Sequence, residues 1–349
     1  MLRRPEKNGK FSESPILPEK TPQAEGDSRA KTTPAGDLRL KVVQNRAICA
    51  EHYLMTVDLP KGVELQFTPG QFFHVVCDPG AEKRRSYPLT LRRPFSIHRA
   101  RFPGFDPAAL SGSGDLPEEL LASLIRHPAR IEFLYRVAGE GTERLSRIRK
   151  GKVLDAIGPC GSGFAPGEER TAVIVAGGIG IAPLAALAEE LRFAGKEVLA
   201  YIGAIRENML GLAATRGGSC DEGDLVGAIE SEFREIGARV MTVCTDDGSA
   251  GEHGLVTEML EAGIREGCVP REDVRLYACG PKGMLRATAA IAVQYGLDCR
   301  VSLEERMACG VGACYSCTVS VRQPDGTEAK ERVCREGPVF DAREIVWKD

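Results

Sequence analysis

Four cysteines gathered at one end of the chain constrain it more than any other feature. Cys309, Cys314, Cys317 and Cys334 stand in the spacing C-x4-C-x2-C-x16-C within the last 41 residues. Three thiolates on one short loop and a fourth from beyond a turn form the plant-type ferredoxin order, which holds a [2Fe-2S] cluster. Between the ligands, the loop Met307-Ala308-Cys309-Gly310-Val311-Gly312-Ala313-Cys314 carries small residues. Such a loop can curl tightly and turn N–H groups toward sulfur, which stabilises the charge added on reduction. Two other readings of these thiols stay open. One is a structural zinc, although zinc usually collects its ligands as two separated pairs. The other is a dithiol redox pair formed by Cys314 and Cys317.

The remaining eight of the 12 Cys are scattered singly between Cys49 and Cys299. No apolar h-region follows the basic start, so they read as buried thiols rather than a disulfide framework, and the expected location is cytoplasmic. With 46 Lys+Arg against 49 Asp+Glu the formal charge is −3, which gives no global attraction to nucleic acid or to an anionic membrane. The most apolar stretch, residues 173–188, is shorter than the roughly 20 residues of a membrane span. It is also interrupted by Gly177, Gly178, Gly180 and Pro183. Neither nucleic acid nor membrane is an expected partner.

Texture along the 349 residues divides them into four parts. Residues 1–36 mix seven Lys/Arg with five Asp/Glu, Pro and Ser and show no apolar repeat, so a disordered N-terminal tail is expected. A mitochondrial targeting peptide is the alternative there, and the acids argue against it. Residues 37–165 show short Val/Ile/Phe/Tyr runs, such as 71–77 and 130–137, punctuated by Pro-Gly pairs; the expectation is an antiparallel β-barrel. A helical insertion is expected at about 99–130, on the apolar spacing of Leu120, Leu121, Leu124 and Ile125. Residues 170–300 alternate buried strand, glycine turn and helix, which predicts an α/β domain with a parallel sheet. Residues 301–349 form a small C-terminal cluster domain whose Gln323-Pro324-Asp325-Gly326 reads as a hairpin turn. The fold class is therefore multi-domain, β plus α/β.

Two further regions carry chemistry. Residues 172–176 run as a buried strand into Gly177-Gly178-Ile179-Gly180-Ile181-Ala182-Pro183, which opens a helix and exposes its N-terminus to a pyrophosphate. Pro183 stands where a G-x-G-x-x-G fingerprint has its third glycine, so tight packing without a ligand is the competing reading. Cys279-Gly280-Pro281 and Thr245-Asp246-Asp247-Gly248-Ser249 end later strands. Such loops line the crevice of an open parallel sheet. Cys279 is either a residue facing a nicotinamide or a buried structural thiol, and the two Asp are either ligand contacts or turn residues. In the barrel segment, Arg93, Pro94, Phe95 and Ser96 bring a cation, an aromatic and a hydroxyl to a strand-like run, a set suited to a flavin and its pyrophosphate. Leu134, Tyr135 and Arg136, then Gly141 and Thr142, supply a second strand and a glycine-containing turn.

With these motifs in view the chain resembles the ferredoxin reductase superfamily. Within it, the chain closely resembles the electron-transfer subunits of NAD-dependent dihydroorotate dehydrogenases. Glu305 to Gly310 and the run Val333-Cys334-Arg335-Glu336-Gly337-Pro338-Val339-Phe340 are the most specific part of the likeness, which spans about residues 38–349. The resemblance implies FAD at Arg93, Pro94, Phe95, Ser96, Leu134, Tyr135, Arg136, Gly141 and Thr142. It implies NAD at Gly178, Gly180, Pro183, Cys279 and Gly280, and [2Fe-2S] on Cys309, Cys314, Cys317 and Cys334. It also implies a partner, an FMN-containing catalytic subunit that oxidises dihydroorotate in pyrimidine biosynthesis, assembled as a heterotetramer with two of each chain. Substrate chemistry would then sit in the partner, and electrons would pass from FMN through the cluster and FAD to NAD. The alternative is an NAD(P)H-dependent reductase with the same cofactors serving a ferredoxin, hydrogenase or oxygenase. Arg206 suits a 2′-phosphate and Glu207 a ribose hydroxyl, so the residues alone leave NADP against NAD open. Two departures from the family stand out, the long stretch 99–130 and the extra residues 1–36.

Overall fold

Leu40 and Val42 are buried while Lys41 between them is exposed, the period of two that a sheet with one face on a core imposes. In the computed structural model the described residues are 36–63, 65–78, 91–101, 128–210 and 225–348. The expected tail, up to residue 35, and residues 102–127 of the expected insertion lie outside them. Seven strands form the first sheet: β1 (Gly36–Cys49), β2 (His52–Asp58), β3 (Phe72–Val75), β4 (Arg93–Ser96), β5 (Arg99–Arg101), β6 (Arg130–Arg136) and β7 (Val153–Cys160). Their order is β4-β3-β7-β1-β2-β6-β5, and every pairing is antiparallel. The sheet curls so that Phe95 of β4 reaches Phe133 and Tyr135 of β6, with ring centroids 6.2 and 5.6 Å apart. No ladder joins the two edge strands, β4 and β5, so this is a half-open barrel. Pro94 is tolerated because β4 pairs on one side only.

At the ends of the expected insertion the structure differs from the sequence reading. Residues 99–101 form β5, with Arg99 opposite Glu132, and Arg130 already belongs to β6. A backbone ladder with β6 satisfies these peptide groups, while the apolar spacing of Leu120, Leu121, Leu124 and Ile125 that suggested a helix lies outside the described residues.

Past helix α1 (Glu140–Ser146) the pattern changes. All seven residues of β8 (Thr171–Gly177) are buried, as a central parallel strand covered on both faces requires. The elements continue through α2 (Ile181–Phe193), β9 (Glu197–Ala204), α3 (Leu225–Glu235), β10 (Arg239–Thr245), β11 (Glu252–His253), α4 (Val256–Arg265), β12 (Val274–Cys279), α5 (Lys282–Tyr295) and β13 (Asp298–Ser302). The strand order is β11-β10-β9-β8-β12-β13, extended by β16 (Val339–Asp341), which runs antiparallel to β13. After β8 the chain builds outward on one side, then returns to build on the other. That reversal between β8 and β12 is the topological switch point, where the carboxyl ends of strands open a crevice. Between β13 and β16 lie the cysteine loop and the hairpin of β14 (Thr318–Arg322) and β15 (Glu328–Arg332). The cysteine segment is thus stitched into the edge of the second sheet. Among the described residues no helix is long and apolar enough to cross a membrane.

One buried charge ties barrel to sheet. Arg99 of β5 is fully buried, with Nη2 2.8 Å from Glu232 of α3 and Nε 3.3 Å from Glu189 of α2. Beside it, His98 Nδ1 lies 3.0 Å from the Ala182 carbonyl in the first turn of α2. Removing one member of such a group strands the others without a counter-charge, at a cost of about 3–5 kcal/mol. Arg99→Met should therefore lower stability by about that amount in urea unfolding, and the triple change R99M/E189Q/E232Q should recover most of the loss.

Candidate functional site

At the switch point the barrel and the parallel sheet enclose a cavity of about 570 Å³, within the range of small-molecule and cofactor sites. Pro94, Phe95, Ser96, Leu134, Tyr135, Arg136 and Thr142 line its barrel side, and Ile179, Ala182 and Pro183 its nucleotide side. Phe95 and Tyr135 meet edge to face, and Tyr53 stacks on the far side of Tyr135 at 5.6 Å. These contacts hold Tyr135 upright as an aromatic wall. Its hydroxyl donates to Asn45 Oδ1 at 3.0 Å, and Asn45 Nδ2 donates to the carbonyls of Leu145 and Ile148. One asparagine thus fixes β6 to the end of α1, and with it the turn carrying Thr142. The Thr142 hydroxyl accepts from Ala138 N at 2.9 Å and Gly139 N at 3.2 Å, closing that turn. Arg136 donates from Nη2 to Glu51 at 3.1 Å on the rim.

Arg93 and Gly141 pack against each other. A Cβ at Gly141 would lie 3.2 Å from Arg93 Nε. The Arg93 guanidinium donates to the carbonyls of Leu91 and Arg92 at 2.9 and 3.1 Å.

On the nucleotide side, Gly178 has φ +53°, which favours glycine, and Gly180 serves a close approach. A Cβ on Gly180 would fall 2.3 Å from the Cys279 carbonyl oxygen, so the turn after β8 and the end of β12 meet backbone to backbone. Both readings of the turn have a physical basis: Gly180 packs, and the cavity reaches Ile179, Ala182 and Pro183. Gly178, Gly180, Cys279 and Gly280 are not among its lining residues. Cys279 is buried, and burial pushes its thiol far above the ordinary range. The hydroxyl against it belongs to Ser302, which does line the cavity. At the end of β10, Asp247 Oδ1 accepts from the Ser249 amide and hydroxyl at 3.0 and 2.6 Å, a turn-forming use.

The third wall of the cavity was not apparent from the sequence. Ser302, Leu303, Glu304, Glu305, Arg306 and Met307, the link from β13 into the cysteine loop, line it together with Pro338. The signals were their position between the last parallel strand and Cys309 and the family likeness that begins at Glu305. His74 of β3 was also missed. It is fully buried, and a Cβ on Gly310 would lie 2.3 Å from its Nδ1, so the imidazole rests on the cysteine loop. His74 pairs with Pro94 in the β3–β4 ladder, so one strand touches both the aromatic wall and the thiols.

The hairpin register brings the distant fourth cysteine to the other three. Thr318 pairs with Arg332, and Val333 N donates to the Cys317 carbonyl at 2.9 Å, which sets Cys334 beside Cys317. Cys334 lies close enough to Cys317, and Cys314 close enough to Cys309, for each neighbour to perturb the thiol. Gly310 and Gly312, at φ +70° and +82°, let the loop curl. Arg332 holds it by donating to Gly312 O at 2.7 Å and lying 4.7 Å over the Tyr315 ring. Amides of Val311 and Ala313 point at Cys309 Sγ, and that of Gly312 at Cys334 Sγ. Burial raises the Cys334 thiol, whereas the Ser316 hydroxyl helps hold Cys314 down to about 6. Two thiol pairs ringed by N–H donors fit a diiron cluster with two thiolates on each iron. Among the described residues, no three His, Cys, Asp or Glu side chains are arranged for a single metal ion.

Comparison with known proteins agrees with this geometry. Residues 304–346 match the family model for the iron-sulfur cluster binding domain of dihydroorotate dehydrogenase B. The electron transfer subunit of dihydroorotate dehydrogenase B (NAD(+)) from Caldanaerobacter subterraneus subsp. tengcongensis is 34% identical over 310 residues, covering 89% of this chain and 98% of the relative. That of Geobacillus kaustophilus is 35% identical over 315 residues, covering 89% and 99%. Among solved structures, an NADH-dependent reduced ferredoxin-NADP oxidoreductase shares the fold with a TM-score of 0.63 at 23% identity, covering 93% of this chain and 92% of that one. The ferredoxin reductase of carbazole 1,9a-dioxygenase aligns with a TM-score of 0.52 at 19% identity, covering 76% and 67%. With identity above 30% across nearly the whole length of these relatives, the chain belongs to the family of dihydroorotate dehydrogenase B (NAD(+)) electron transfer subunits.

Proposed function

We propose that this chain carries electrons from the FMN of a dihydroorotate-oxidising catalytic subunit, by way of [2Fe-2S] and FAD, to NAD+ in pyrimidine biosynthesis. The observation that carries the reading is the continuity of one wall. Residues 302–307 line the cavity between barrel and sheet and run directly into Cys309. When bound, FAD supplies exchange between hydride and single electrons, and the iron–sulfur cluster supplies one-electron transfer.

The chain's own residues have separable tasks. Phe95 and Tyr135, set edge to face, offer an apolar wall to an isoalloxazine, and Ser96 adds a hydroxyl to the same cavity. Arg136 on the rim and Arg93 beside Gly141 are the cations available to a pyrophosphate. The turn 177–183 at the start of α2 and the strand end at Cys279-Gly280 receive the dinucleotide at the switch point. Cys309 with Cys314, and Cys317 with Cys334, hold the cluster. Of the two cofactors that Arg206 and Glu207 left open, NAD is favoured by the relatives' NAD(+) dependence. The assembly proposed is a heterotetramer with two copies of each chain, located in the cytoplasm.

The test mixes the purified chain with an FMN-containing dihydroorotate dehydrogenase catalytic subunit. Dihydroorotate-dependent formation of NADH is expected, requiring both chains. Robust oxidation of NADH by an artificial dye, with no coupling to orotate, would instead indicate a reductase serving another acceptor. Cys317→Ala should lose the iron and keep the flavin, because their binding residues lie on different segments. NADH should still bleach the flavin of this variant while coupled turnover fails; turnover that survives without iron would show that the cysteines are not on the route.

A further inference from the structure

The four thiols are served unequally by hydrogen-bond donors. Cys309 Sγ accepts from Val311 N at 3.5 Å and Ala313 N at 3.3 Å, and Cys334 Sγ from Gly312 N at 3.2 Å. All three are main-chain donors, which the curl of the loop supplies whatever side chains it bears. At Cys314 the neighbour is a side chain, the Ser316 hydroxyl, with its oxygen 3.2 Å from Sγ. The protonation state of a ligating cysteine decides which of the two atoms donates. Ala308 N–H donates to the same Ser316 Oγ at 3.2 Å, and a hydroxyl has one hydrogen to give. A ligating cysteine is a thiolate with no hydrogen, so the Ser316 hydrogen goes to Cys314 Sγ. Ser316 is thereby held at both ends, its oxygen by the residue preceding Cys309 and its hydrogen on a ligand sulfur.

Exposure sharpens the asymmetry. Cys317 and Cys334 are buried, Cys309 is half-buried and Cys314 is exposed. Three of these four donor groups, and most of the solvent access, fall on the Cys309–Cys314 pair. Donors to sulfur and access to water both stabilise added negative charge.

We propose that Ser316 sets the reduction potential of the cluster that the four cysteines would hold. This rests on the reading of the four cysteines as [2Fe-2S] ligands. In each passage one electron is lost by a reduced flavin and gained by the cluster, and Ser316 keeps its hydrogen throughout. Ser316 is a positioning residue, acting through the sulfur it touches. Without its hydroxyl the reduced state loses a charge-assisted hydrogen bond. The one-electron equilibrium then shifts about tenfold toward the flavin, equivalent to about 59 mV.

The test uses the full chain. Iron and acid-labile sulfide in the wild-type protein, measured first, report on the ligand reading alone, and their absence after anaerobic reconstitution removes both claims. Redox titration followed by the electron paramagnetic resonance of the reduced cluster then compares wild type, Ser316→Ala and Ser316→Thr. The alanine variant should hold wild-type iron at a potential lowered by about the tenfold equivalent, and the threonine variant should return to the wild-type value. An alanine variant at the wild-type potential, or a threonine variant shifted as far as alanine, overturns the proposal. So does an alanine variant that holds no iron, since the hydroxyl would then serve assembly rather than potential.

Discussion

The pairing of β16 with β13 is the constraint on which the rest of the molecule depends. Val301 faces Phe340 and Ser302 faces Val339 across this antiparallel ladder, and Leu303 N donates to the Pro338 carbonyl at 2.8 Å just beyond it. Through these few backbone bonds the cysteine segment leaves the nucleotide sheet and returns to it. The link from β13 can therefore form a cavity wall on one side and enter the first thiol on the other. Without the return strand, the loop and hairpin would hang from one end and their register against the barrel would be free.

Two kinds of polar burial keep the parts in place. Arg99 is sunk between two carboxylates at the seam of barrel and sheet, an arrangement worth more for its geometry than for net stability. In the cysteine loop the polar groups are main-chain amides aimed at sulfur, together with the Arg332 guanidinium on the Gly312 carbonyl. One arrangement fixes a seam between layers. The other shapes a site whose chemistry depends on negative charge at sulfur.

His74 and Gly310 show how closely the two halves are matched. The imidazole lies where any side chain at residue 310 would have to go, and its strand is laddered to the one carrying Pro94 and Phe95. Motifs more than two hundred residues apart in the chain become neighbours through a single buried ring. Nothing at residue 74 marks it in advance, since a polar residue inside an apolar run reads as an ordinary strand position.

Local patterns determined a good deal. The cysteine spacing pointed to an iron–sulfur domain at this end of the chain, because the distance between thiols along a loop limits what it can enclose. The apolar run at 172–176 followed by glycines specified a strand turning into a helix, because period and turn chemistry act over a few residues. Contacts that depend on which strands become neighbours were decided only by the tertiary structure. Leu303 to Met307 became a cavity wall, Arg93 came to pack against Gly141, and residues 99–101 became strand β5. Sheet order and register set these, and they arise from ladders between segments far apart in sequence, of which a local pattern carries no trace.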